Sequence, residues 1–173
     1  MAPAEVRGGI PPGGLQNRLV RGSGGNQQDE APEAMRARIQ ASFDRQAMMA
    51  TLGTELVSVE PGRVELALGH DARFTQQHGF MHAGAVAAVL DSACGYAAFS
   101  VMPPEAAVLT VSFTINLLAP AAGERFRMTG TVTRAGRTLV VCRGDAFADT
   151  ATTPFAVMQA TLTAVYDRPG IQH

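Results

Sequence analysis

Between Gln76 and Phe99 the chain reads QQHGFMHAGAVAAVLDSACGYAAF, and this stretch leaves the remainder few options. A polar, Gly-containing loop runs into a long Ala-rich segment. From Ala83 to Phe99 nearly every position is apolar or small, so the pattern is apolar all round rather than striped. Such a pattern predicts a helix buried on most faces. One carboxylate, Asp91, sits within it and one imidazole, His82, stands at its head. A buried Asp must find hydrogen-bond partners or shift its pKa, so it is kept for a fold-specific contact or for chemistry. His82 and Asp91 are nine positions apart, about 13.5 Å of rise and about two and a half turns at standard pitch. They point to opposite sides of one helix. A site that uses both therefore needs two chains, with their helices antiparallel about a two-fold axis.

With 173 residues the chain is long enough for one domain with a substantial core. Hydrophobic residues make up 46% and charged residues 17%, which is globular composition. The net charge of -1 gives no electrostatic case for a nucleic-acid or anionic-membrane partner. Cys94 and Cys142 lie within apolar runs and read as reduced, buried and structural. Nothing resembles a paired-Cys metal site. Residues 1–32 are rich in Gly, Pro, Asn and Gln without a sustained apolar period, and are expected to be a flexible tail. They hold no apolar core of signal-peptide length, and no stretch reaches the ~20 apolar residues of a membrane span, so the expected location is cytoplasmic. The folded domain is expected over residues 33–168, with 169–173 a short C-terminal tail.

One helix is predicted from Glu33 to Met49, with Met35, Ile39, Phe43 and Ala47 on one stripe, stopped by Gly53. Strands are predicted at Leu56–Val59 and Val64–Leu68 about a Pro61-Gly62 turn. A loop, His70–Met81, leads to the central helix, which ends before Pro103-Pro104. Beyond it the stretches Val108–Leu118, Phe126–Arg134, Thr138–Ala148 and Phe155–Tyr166 alternate in polarity. In the first, Val111, Phe113, Ile115 and Leu117 are expected on one face and Thr110, Ser112, Thr114 and Asn116 on the other. The order is taken as helix, two strands, buried helix, then three long strands. Long consecutive strands joined by short turns favour an antiparallel sheet, and only the Ala-rich helix is apolar enough to cover it. The fold class is α+β, an antiparallel sheet wrapped around a central helix.

That architecture is the hotdog fold, and QQHGFMHAGAVAAVLDSACGYAA resembles the signature of PaaI-type acyl-CoA thioesterases of the hotdog superfamily. Their pattern is a polar amide residue, a His-Gly-Gly at the helix start, and Asp nine positions after the His. TVSFTINLLAPAAGE (Thr110–Glu124) resembles the family's strand ending in a Pro-Ala turn, and RAGRTL (Arg134–Leu139) its Gly-basic hairpin. The resemblance covers about Phe43 to Val165.

The resemblance implies roles residue by residue. Asp91 matches the catalytic carboxylate, acting as general base on water or as nucleophile on the thioester carbonyl. Ala83 stands where the family has Gly. Its N–H, at the helix N-terminus beside Gly84, matches the donor that polarises the thioester oxygen. His82 matches the residue that hydrogen-bonds near the thioester and orders the loop. Gln76 stands where many members carry Asn, with Gln77 and His78 close enough to substitute for it. Thr110 matches a hydroxyl that orients water beside the carboxylate. Gly136 and Arg137 match the hairpin bordering the CoA phosphates, a role that Arg134 or Arg143 also suits. The implied activity is hydrolysis of acyl-CoA to free acid and CoA without a cofactor, in a homodimer or homotetramer. Two other readings compete: a non-catalytic acyl-CoA-binding or sensing protein, and a hotdog hydratase or dehydratase, whose His and acid are otherwise placed.

Overall fold

A computed structural model describes Glu30–Asp167 and Pro169; the expected N-terminal tail falls almost wholly outside these residues. The first helix begins at Pro32, where the missing N–H of proline is not needed. It runs to Phe43 as α1 and buries Met35, Ile39 and Phe43, three of the four residues of the predicted stripe. The helix does not continue to Met49 as expected. It breaks over Asp44–Gln46 and resumes as α2 (Ala47–Thr51), so Ala47 leaves the buried stripe and is exposed. The break turns Gln46 inward, where its Nε2 donates to the Tyr96 hydroxyl at 2.7 Å. Gly53, at φ +65°, closes the segment in the left-handed region that glycine adopts without strain.

Two strands, β1 (Glu55–Glu60) and β2 (Arg63–Gly69), pair about the Pro61-Gly62 turn as predicted. After a short 3-10 turn at Ala72–Phe74 comes the central helix α3, Ala83–Phe99. Four strands follow it rather than three: β3 (Ala107–Leu117), β4 (Arg125–Ala135), β5 (Leu139–Ala148) and β6 (Ala156–Val165). They correspond one to one to the four alternating stretches, so only the count of three is corrected, and a turn around Asp149, at φ +46°, separates the last two. All six strands pair antiparallel in the order β1-β2-β4-β5-β6-β3.

The sheet curls around α3, and the core lies between them. Val86, Val89, Leu90, Ala93, Cys94 and Phe99 of the helix meet Leu66, Phe126, Met128 and Leu162 of the sheet, all essentially inaccessible. Each large side chain so buried contributes about 1.5–3 kcal/mol. Close approach of helix to sheet depends on Gly130 of β4, where a Cβ would overlap the Ala93 carbonyl and the Cys94 amide. The expectation that α3 is buried on most faces holds only in its last turn and on its sheet side. Ala87, Ala88, Asp91, Ser92 and Gly95 are half-buried, and Asp91, Ser92 and Gly95 line a cavity with Thr110 of β3 and Leu162 of β6.

Strand β3 departs from the clean alternation of its sequence. Its register slips between Thr110 and Ser112, leaving Val111 as a bulge. It lies at the edge of the sheet, paired only with β6 among the described residues. Val111 (58% exposed), Phe113 and Leu117 are therefore open to solvent in the single chain, not core.

Candidate active site

The bulge at Val111 builds the site. In a regular strand Thr110 shares a face with Ser112 and Thr114. Here Thr110 lies opposite Leu162, Phe113 opposite Ala160 and Ile115 opposite Met158, all on the helix side. The extra residue transfers Thr110 to the face that looks at α3, where its Oγ1 donates to the Asp91 carboxylate at 2.9 Å. The predicted grouping of Thr110 with Ser112, Thr114 and Asn116 is thus corrected by one residue of slip.

Asp91 sits among the half-buried residues of α3 in a cavity of about 140 Å³ that Ser42, Gln46, Ser92, Tyr96 and Thr110 help to line. Burial pushes its carboxyl above the ordinary 3.8, and the Thr110 hydrogen bond pulls part of the way back. A carboxyl held in this way is suited to take a proton from water. Cys94, one turn further on, is buried and its thiol is driven well upward by loss of solvent, so it stays a neutral packing group. Cys142 is likewise buried and free, its thiol pushed up to about 12.

The head of α3 carries the other predicted residues. His82 is the N-cap: its Nδ1 accepts from the Gly84 N–H at 2.9 Å, which satisfies one of the helix's unpaired amides and leaves the ring proton on Nε2. The His82 N–H donates to the Phe74 carbonyl at 2.8 Å, anchoring the loop to the helix start. Gln76 accepts the His78 N–H on its side-chain oxygen, and lines a groove with Ala83, Phe80 and Leu117. His82 and Gly84 face a different cavity, with Met48, Leu52, Phe74 and Ala88. Gln77 and His78 are exposed and lie side by side, 3.4 Å between Nε2 atoms.

Within one chain, then, Asp91 with Thr110, Ala83 with Gln76, and His82 with Gly84 line three separate cavities. The Gly136-Arg137 hairpin joins β4 to β5, with the Gly136 N–H donating to the Leu139 carbonyl at 2.8 Å. The cross-strand row Val140–Leu162–Thr110 sets that hairpin at the Asp91 end of the sheet. Arg134 lies in a hollow with Thr114, Asn116 and Gln159, the side of the sheet away from α3, and Arg143 is held by both oxygens of Asp145. Sequence reasoning missed Ser42, Gln46, Ser92 and Tyr96. Their one legible sign was polar residues interrupting apolar runs at positions that only the helix break and α3 bring together.

A six-stranded antiparallel sheet curled around one helix is a hotdog fold, and here that helix carries a half-buried acid. Comparison with known proteins agrees. Residues 78–155 match the thioesterase superfamily. A thioesterase family protein from Silicibacter pomeroyi is 52% identical, covering 76% of this chain and 98% of that one, with a TM-score of 0.74. The chain belongs to the thioesterase superfamily. A Saccharolobus solfataricus protein with an inferred esterase name is 30% identical over 90 residues, 52% of this chain; the match spans 64% of that relative's length. The PaaI protein of E. coli, from its phenylacetic acid degradation operon, shares the fold at 20% identity and TM-score 0.69, over 76% of this chain and 93% of that one. Among the described residues no helix is long and apolar enough to cross a membrane.

Proposed function

We propose that this chain hydrolyses acyl-CoA thioesters to the free carboxylic acid and CoA, with each active site shared between two subunits. The observation that carries the proposal is Asp91: a half-buried carboxylate, lifted in pKa by desolvation, held by Thr110 at the wall of a cavity. Thr110 occupies one carboxylate oxygen, so the other takes the proton of a water molecule. The hydroxide so formed adds to the thioester carbon, and the carbonyl oxygen gains negative charge. The Ala83 N–H at the N-terminus of a partner's α3 stabilises that oxyanion. The carbon–sulfur bond then breaks, CoA leaves as the thiolate, and the proton held on Asp91 returns to it. His82 fixes the loop that presents the donor and Gln76 borders the thioester. Gly84, Gln77 and His78 lie along the substrate path, and Arg137 at the hairpin faces the CoA phosphates.

The shared site is supported by the separation of the Asp91 cavity from the Ala83 groove in one chain, and by the open edge of β3. That edge carries exposed Val111, Phe113 and Leu117 beside unpaired backbone groups, which suits pairing with a second copy about a two-fold axis. A thiol-release assay over a panel of acyl-CoAs tests the reading. Wild type is expected to liberate CoA, and Asp91→Ala to lose turnover by several orders of magnitude while keeping its fold. Turnover retained in Asp91→Ala rejects the role.

A further inference from the structure

One group of polar side chains beside Asp91 plays no part in the chemistry just described. Gln46 reaches the cavity because the first helix breaks immediately before it. Its Nε2 donates to the Tyr96 hydroxyl at 2.7 Å, and its Oε1 accepts from Ser92 Oγ at 3.4 Å. Tyr96 is buried and also bonded to Ser42. These four residues come from two separate parts of the chain and line the same cavity of about 140 Å³ as Asp91. A pocket for a plain alkyl chain has no need of them, since covering amide and hydroxyl groups with hydrocarbon costs about 1–3 kcal/mol for each group left unsatisfied. Gln46 and Ser92 are half-buried at the cavity wall, so the second hydrogen on Gln46 Nε2 and the lone pairs of Ser92 Oγ are open to a ligand.

Building on the thioesterase reading above, we infer that Gln46 and Ser92, braced by Tyr96, form an acyl subsite for short hydroxyacyl groups. A substrate hydroxyl accepts from the second Gln46 N–H and donates to Ser92 Oγ, completing the network with one group. Gln46 and Ser92 line the same cavity as Asp91, so the hydroxyl they meet lies within a few carbons of the thioester. Tyr96 acts through Gln46, fixing the amide so that its remaining N–H points into the cavity.

The test compares butyryl-CoA with 3-hydroxybutyryl-CoA and 4-hydroxybutyryl-CoA. The wild-type kcat/KM is expected to favour the better hydroxylated thioester by roughly tenfold or more, since a site built to bond a hydroxyl rejects the analogue without it. Gln46→Leu is expected to bring that ratio close to one, and Tyr96→Phe to reduce it. A ratio near one in wild type, or a ratio that survives Gln46→Leu in a folded protein, overturns the subsite. Calorimetric binding of the same three compounds to Asp91→Asn reads the pocket apart from the chemistry. Hydroxyl-selective binding without wild-type turnover keeps the subsite and removes the hydrolase. Turnover without selectivity does the reverse, and neither binding nor turnover overturns both.

Discussion

Thr110 donates to the Asp91 carboxylate at 2.9 Å, and it reaches that carboxylate because β3 gains one residue at Val111. A hydrogen bond to a charged group is worth about 1.5–3 kcal/mol, and this one steadies the ionised form. Thr110→Val keeps the shape of the side chain and removes the donor. Turnover is expected to fall by roughly ten- to a hundredfold, and Thr110→Ser to recover most of it. Steady-state kinetics of both variants checks this, and equal activity in Thr110→Val argues against the contact's importance.

The pH dependence of rate and of stability should run in opposite directions at Asp91. Burial raises its carboxyl above 3.8 in the folded chain. The folded state therefore binds the proton more tightly than the unfolded state. The group's stabilising contribution is full below 3.8 and is lost as pH rises through the folded value. Asp91→Asn is thus expected to melt above wild type near neutral pH, with the gap closing as the medium is acidified. On the proposed mechanism turnover uses the carboxylate, so the rate should rise through the same elevated value. Thermal melts and rate profiles across the acid range check both slopes, and a wild type that melts higher than Asp91→Asn at neutral pH contradicts the account.

Gly130 sets how closely the sheet approaches the site-bearing helix. A Cβ there overlaps the backbone of Ala93 and Cys94, which cannot move aside as a side chain does. Gly130→Ala is expected to destabilise by about 1–3 kcal/mol or more, the usual cost of overpacking. It should also shift Asp91 relative to Thr110. Denaturant unfolding measures the first and turnover per folded molecule the second.

Much of this was legible in the sequence. The bounds of α3, its His82 head, the Pro61-Gly62 hairpin and the sheet wrapped around one helix follow from composition and period alone. What was not legible depends on single residues responding to tertiary contacts. Nothing local marks Val111 as a bulge, because polarity alternates cleanly through it. The break before Gln46 is hidden because Ala47 fits an apolar stripe as well as it fits solvent. The polar wall of Ser42, Gln46, Ser92 and Tyr96 exists only after two distant segments meet. The exposure of Phe113 and Leu117 reflects the position of β3 at the sheet edge, which alternation does not encode.

That edge leads to a further prediction. A charge placed at Phe113, which is 45% exposed beside the unpaired backbone of β3, should prevent a second copy from pairing there. Phe113→Arg is expected to run as a folded monomer in size-exclusion chromatography with light scattering, and to lose turnover with the dimer. A fully active monomer opposes a site made by two chains.

The most direct test mixes two defective proteins. Asp91→Ala supplies an intact helix head and His82→Ala an intact acid, so under the proposed shared site co-refolded chains give heterodimers with one complete site. Random pairing of equal amounts is expected to restore about a quarter of wild-type activity by simple two-fold counting, well above either parent. Activity that stays at the average of the two parents, in a mixture shown to contain heterodimers, contradicts an active site assembled between subunits.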